Sequence, residues 1–308
     1  MHVAAVLAAV AAVLGDGSVW FLDTDAGRIV GQVPLPGEGA ALFAAPDGRV
    51  LVPLRDSDAT VVAAAGGQGA LWAGRIFPLF FDEVDRMYLV LPGELVAVSY
   101  PERVPLFRRP LGVAAGSWRA SCSANGQVVA VVPADDRQRV VLLSPHDARF
   151  SGTVVMATPV VEAALAPDGT WLAVGLSGGK VQVVAATGGG AASLAVAGEI
   201  RGMALSRDAG TLVVAVAAGR VGTLVGLRVR GPGKPLKVRF TSPLDEAPSG
   251  VALTERDAVV VTPSAVVVVP LAGRKAPRRI PVPGGRAVTV LPAQPASVVP
   301  DWGDEREP

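Results

Sequence analysis

Two histidines, one cysteine and a scatter of loop carboxylates are the groups in this 308-residue chain that could do chemistry. His2 stands near the start and His146 in a turn-like segment, SPHDARF. Neither has a second His or Cys at ligand spacing, which argues against a zinc or haem centre built on those residues. A Ser-His-Asp triad would need one of these histidines deep in a pocket, and both read as exposed polar residues. No G-x-S-x-G elbow, P-loop or dinucleotide fingerprint occurs in a strand–turn–helix context. Gly188, Gly189 and Gly190 fall between two expected strands, where a hairpin loop explains them better than a phosphate cradle. The lone Cys122 excludes an internal disulfide and leaves the compartment open. In WRASCSA it is expected on an inner strand as a buried, inert thiol. What remains is the oxygen chemistry of Asp and Glu, which hold a hard cation such as calcium when several converge.

The elements that must position those carboxylates are strands. Helical periodicity is nearly absent, and runs of four to seven Val, Ala, Leu and Ile residues recur every 8–12 residues between Gly, Pro and Asp turns. Many runs are continuously apolar, as expected for strands covered on both faces. Half of the chain is apolar, which supplies a sizeable core. Ala is a poor strand former, so packing must supply the preference, and its small side chain suits closely stacked sheets.

A turn followed by an apolar strand recurs at Gly48, Arg86, Gly126, Gly169, Gly210 and Asp257, at separations of 38, 40, 43, 41 and 47 residues. Stepping back one period from Gly48 lands just before AVAAVL, which makes seven copies. Pro46-Asp47-Gly48 and Pro167-Asp168-Gly169 are the same tripeptide three periods apart. Each copy divides into four strands; in the fifth these are roughly Val161–Ala166, Thr170–Leu176, Lys180–Ala185 and Ala192–Val196. Four antiparallel strands per 40 or so residues is the dimension of a β-propeller blade.

The expected fold is therefore all-β: a seven-bladed β-propeller of four-stranded antiparallel blades. One domain spans 1–299, with blades at roughly 1–37, 38–79, 80–112, 113–158, 159–198, 199–243 and 244–285. The segment 286–291 reads as a closing strand that joins the N-terminal blade and removes the free edge. The acidic tail 300–308 is expected to be disordered. His2 to Leu14 is apolar for thirteen residues, too short to span a bilayer. Read as a blade strand it implies a cytoplasmic protein; read as a signal-peptide core it implies an exported one. The strand is preferred, because no Lys or Arg precedes the run.

The stretch LDTDAGRIVGQVPLPGEGAALFAAPDGRVLVPLRDSDATVVAA, within 19–65, resembles the YVTN-type β-propeller repeat, in the WD40-like superfamily. Leu22-Asp23-Thr24 stands for its first element, Ile29–Leu35 for its second and Ala45-Pro46-Asp47-Gly48 for its third. Val52-Pro53-Leu54 replaces the naming tetrapeptide. The WD40 signature itself is not met: no Gly-His opens the blades and no Trp-Asp closes them. The resemblance implies the architecture and leaves activity open, since propellers host binding, scaffolding, lactonase and quinoprotein functions.

In a propeller, the loops entering each first strand and those joining the second and third strands crowd one face, around the channel mouth. That face is expected to carry Glu38, Asp56, Asp58, Asp135, Asp136, Glu199, Asp245 and Glu246 against Arg55, Arg137 and Arg220, and so to be net acidic. The carboxylates could hold calcium, as in propeller-type lactonases, although charges also simply favour loops. The opposite face and rim of the last two blades carry Arg228, Arg230, Lys234, Lys237, Arg274, Lys275, Arg278 and Arg279. This basic rim could meet an acidic partner, and a solvated edge that keeps outer strands from pairing explains the same charges. No aromatics alternate with it, so nucleic acid is not expected. The net charge of +1 gives no overall drive toward nucleic acid or an anionic membrane. Trp20, Trp72, Trp118 and Trp171 are expected in strands, packed between blades.

The resulting expectation is a monomeric, non-catalytic binding module that presents loops to a protein or small ligand, without a cofactor. The alternative is a metal-assisted hydrolase or lactonase using calcium at the channel mouth. A weaker one is a quinoprotein-like dehydrogenase, prompted by Val62–Trp72; the Asp expected where Ala64 stands is missing, and the blade count is wrong.

Overall fold

The computed structural model describes residues 9–67, 69–76, 78–81, 86–91, 94–110, 117–123, 126–133, 135–144, 150–273 and 276–291. Val-rich runs too short for a helix and punctuated by turns become 28 strands, and no helix occurs among the described residues. Accordingly none of them forms a helix long and apolar enough to cross a membrane. Residues 1–8 and the tail 300–308 lie outside the described residues.

The first blade uses β1 (Val10–Gly15), β2 (Ser18–Asp23) and β3 (Arg28–Pro34). Blade two is β4 (Phe43–Ala44), β5 (Val50–Pro53), β6 (Ala59–Ala63) and β7 (Gly69–Ala73). Blade three is β8 (Pro78–Phe81), β9 (Arg86–Leu91), β10 (Glu94–Ser99) and β11 (Pro105–Pro110). Blade four is β12 (Ser117–Cys122), β13 (Val129–Pro133), β14 (Arg139–Leu143) and β15 (Phe150–Val155). Blade five is β16 (Val160–Leu165), β17 (Trp171–Leu176), β18 (Lys180–Ala185) and β19 (Ala192–Ala195). Blade six is β20 (Glu199–Leu205), β21 (Thr211–Ala218), β22 (Val221–Arg228) and β23 (Lys237–Leu244). Blade seven is β24 (Gly250–Leu253), β25 (Asp257–Val261), β26 (Ala265–Pro270) and β27 (Arg278–Pro281).

The last strand, β28 (Ala287–Val290), pairs antiparallel with β1 and becomes the innermost strand of blade one, with Val13 opposite Val288. The ring is thus closed by the C-terminal strand, as the sequence predicts. The apolar run at 9–14 is likewise a strand, here the second of its blade. Every recurring landmark, from RVLVPL to AVVVTP, is also a second strand.

These second strands explain the continuous apolar runs. β5, β13, β17 and β25 are buried at every position. Successive side chains point to opposite sheet faces, and in a propeller each face meets another blade. In β5, Val50 and Val52 pack with Leu14 and Phe21 of blade one. Leu51, between them, packs with Met87 and Val96 of blade three. The core is divided in the same way into seven clusters, one at each blade junction. Fully burying one such Val or Leu contributes about 1.5–3 kcal/mol. Stability is therefore spread round the ring, and the loops are left to vary.

Candidate binding face at the channel mouth

The strand order places on one face the loops entering each first strand and those joining second to third strands. Glu38 lies between β3 and β4, Asp56 and Asp58 between β5 and β6, and Asp135 and Asp136 between β13 and β14. Glu199 opens β20, and Asp245 and Glu246 lie between β23 and β24. All eight carboxylates therefore share the channel-mouth face. They do not converge: among the described residues no three His, Cys, Asp or Glu side chains are grouped to hold a metal ion.

Arginines and turn donors take them up instead. Glu38 pairs with Arg286 and, at 3.5 Å, with Arg55. Asp136 accepts from Arg139 Nε at 2.9 Å and Glu199 from Arg201 Nη2 at 2.6 Å. Arg279 sits 3.5 Å from Asp245 and 2.9 Å from Glu246. The Arg75 amide donates to Asp58 Oδ1 at 2.8 Å. Five of the eight carboxylates on this face are thus in charge pairs, Asp58 is held by a backbone amide, and Asp56 and Asp135 are exposed on the same loops. Five partners, Arg75, Arg139, Arg201, Arg279 and Arg286, were not counted on that face from sequence, because they stand in strands or at strand ends.

Glu246 is the most strongly held carboxylate. The Ser264 hydroxyl donates to it, the Ser264 amide donates to Oε2 at 3.0 Å, and Arg279 adds a charged donor. Chiefly through the Ser264 hydroxyl bond, its pKa falls to about 2. Such a group is a fixed anion at neutral pH and cannot serve as a general base there.

Two concavities open between these loops. The larger, about 550 Å³, lies between blades five and six and is lined by Gly178, Gly198, Glu199, Arg201, Ala217 and Gly219. Gly198 adopts φ 138°, and a Cβ there would stand 2.3 Å from the Ala217 carbonyl oxygen, so the wall must be bare backbone. The second, about 460 Å³, lies where blades seven, one and two meet, and is lined by Asp16, Glu38, Ser249, Pro263, Gly284 and Arg286. Both are shallow hollows that stay largely open to solvent.

Six of the eight residues of the expected basic rim are described, and they divide into an exposed group and two engaged arginines. Arg228 ends β22, Lys237 opens β23, and Arg230 and Lys234 lie in the loop between, all exposed on the opposite face. Arg278 and Arg279 diverge because they are neighbours on a strand. Arg278 reaches the carbonyls of Thr24 (2.6 Å) and Asp25 (2.5 Å) in blade one, with Asp257 at 3.6 Å, whereas Arg279 turns back to blade six. Arg274, Lys275 and His146 lie outside the described residues. Cys122 ends the inner strand β12, and burial pushes its thiol pKa up to about 12. A thiol so shifted is not a nucleophile at neutral pH.

Trp171 is buried in the cluster between blades five and six, and Trp20 packs on that between blades seven and one. Trp72 stands edge-on to Tyr100, with the Arg103 guanidinium 4.8 Å from its ring centre. The Trp118 side chain lies outside the described residues.

No family model matches the chain, and no curated protein matches it. Solved structures do. The chain is similar to apo AztD from Citrobacter koseri, with a TM-score of 0.67 at 11% identity over 92% of this chain and 98% of that one. The hydrazine synthase of Kuenenia stuttgartiensis gives a TM-score of 0.65 at 14% identity over 85% and 89%. The WD40 domain of Neurospora crassa Pan2 gives 0.61 at 9% identity, over 80% of each chain. These likenesses show the fold alone, a β-propeller.

Proposed function

We propose that the protein is a non-catalytic binding module whose channel-mouth face receives a small molecule or a segment of a partner protein. The observation that carries this reading is that both concavities open on that one face, while six of its eight carboxylates are held in charge pairs or by a backbone amide. Groups fixed in this way suit recognition better than proton transfer, which needs a group titrating near the working pH. Proteins as different as a hydrazine synthase and a WD40 domain share the fold, so function resides in the loops. The repeat is proposed to be of the YVTN type, on the strength of Leu22-Asp23-Thr24 and Ala45–Gly48, and the ring to act as a monomer.

A fragment screen followed by backbone amide NMR tests the binding face. Shifted amides should cluster in the loops at 35–42, 196–201, 219–220 and 282–286. Hits concentrated on the opposite face would refute it. Calcium-dependent turnover of a γ-lactone, abolished by Glu246→Gln, would replace it with a hydrolase.

A further inference from the structure

We propose that the concavity shared by blades seven, one and two binds a small organic carboxylate through Arg286, and that Glu38 occupies this arginine as an internal stand-in when no ligand is present. The inference rests on the binding-face reading and assigns one ligand chemistry to one of its two concavities.

Arg286 lies in the loop before β28, its amide donating to the Leu14 carbonyl at 2.8 Å, so its backbone is fixed to blade one. Its side chain bonds to Glu38 through Nη1, while Nε is buried and has no acceptor. Among the described residues, one other buried side-chain donor has no acceptor: Trp20 Nε1. It belongs to the same junction. A Cβ placed on Gly15 would lie 2.6 Å from the Pro283 carbonyl oxygen and 2.9 Å from Trp20 Nε1, and Pro283 O also accepts the Asp16 amide at 3.1 Å. The buried donors left unmet among the described residues therefore collect beside one concavity.

A guanidinium presents five donors in one plane, and its Nε–Nη2 edge matches the two oxygens of a carboxylate. Glu38 engages Nη1 instead and divides its charge between Arg286 and Arg55, which is 3.5 Å away. A free carboxylate is not tethered to that loop. It can meet the Nε–Nη2 edge once the side chain rotates into the concavity, and it leaves Glu38 to Arg55. Asp16 on the rim disfavours further negative charge, so the site suits one carboxylate better than a phosphate or a tricarboxylate. The hollow is open and shallow, and its Pro263, Gly284 and Gly285 lining suits a compact, weakly polar body.

The test is a titration of the whole chain with benzoate, and in parallel with inorganic phosphate, at constant ionic strength. The Arg286 Nε–Hε resonance and the Gly284 and Gly285 amides are followed by NMR. Benzoate should shift these signals and phosphate should not. Glu38→Gln removes the internal competitor and should tighten benzoate by about tenfold, whereas Arg286→Gln should weaken it by at least about tenfold. Arg286→Lys keeps the charge without the fork and should behave as Arg286→Gln. The opposite signs at 38 and 286 separate competition from damage to the fold. Unchanged or weaker binding in Glu38→Gln would overturn the proposal. So would benzoate shifts confined to the concavity between blades five and six, which would leave the binding face standing. Absence of shifts anywhere on the face would count against both.

Discussion

The two faces of the ring are held by opposite means. On the face away from the channel mouth, the turns between first and second strands are closed by their own residues. Asp47 Oδ1 accepts the Arg49 amide at 3.1 Å, Asp168 Oδ1 the Thr170 amide at 3.0 Å, and Asp208 Oδ1 the Gly210 amide at 3.0 Å. Ser123 and Thr254 do the same in blades four and seven. On the channel-mouth face the main contacts join distant chain segments: Glu38 and Arg286 are 248 residues apart, and Glu246 and Arg279 are 33. Local closure makes one face repetitive; long-range pairing makes the other particular to this chain.

The steric demand of a turn should give the largest effect. Gly169 has φ 74°, and a Cβ there would meet Val128 Cγ2 at 2.7 Å. Gly169→Val should cost about 2–4 kcal/mol in urea unfolding, from left-handed strain plus overpacking. A cost below about 1 kcal/mol would mean that the turns are not what fixes that face.

Arg278 breaks the pattern and sharpens it, because it is a long-range contact on the turn face. It joins blade seven to blade one through two carbonyls and the buried Asp257. Arg278→Met keeps the aliphatic stem and removes the charge, taking its donors from the Thr24 and Asp25 carbonyls. The expected loss is about 2 kcal/mol, with faster amide exchange at the β1–β28 pairing. An unchanged exchange pattern would show that ring closure does not depend on this arginine.

How far each face was legible in the sequence follows from the same contrast. Seven copies, the four strands of blade five and the closing strand could be read because turns such as Pro167-Asp168-Gly169 are local and repeat in phase. The placing of all eight carboxylates on one face followed from topology. Their partners did not. No pattern of spacing joins residue 38 to residue 286, and Arg286 itself read as the start of a strand. Arg278 and Arg279 looked like one basic patch because adjacency in sequence conceals the alternation of a strand, which sends them to opposite blades.

A smaller effect should come from Glu246, whose carboxyl is held near 2 in the folded protein against an ordinary 4.5. A carboxylate depressed on folding stabilises fully above its unfolded pKa, and the contribution is lost as pH falls toward the folded one. The stability gap between wild type and Glu246→Gln should therefore be constant above about pH 5 and close progressively between pH 4.5 and 2. A gap that persists at pH 2 would mean that the glutamine disturbs packing and not charge. Urea midpoints measured across that range decide it.

The smallest effect belongs to a channel-mouth pair that, like Asp136 and Arg139, is local: Glu199 and Arg201. Their separation of 2.6 Å is short, yet the side chains are 74% and 52% exposed. In water at that exposure the Coulomb gain is nearly cancelled by the entropy of holding two long side chains still. Glu199→Gln should change stability by less than about 0.5 kcal/mol and the difference should vanish in high salt. If it exceeded about 1 kcal/mol, proximity rather than burial would rank these pairs, and the line between the two faces would have to be redrawn by distance. If it is as small as expected, both side chains can leave each other at little cost. The wall of the larger concavity could then exchange an internal partner for an external one without loss to the fold.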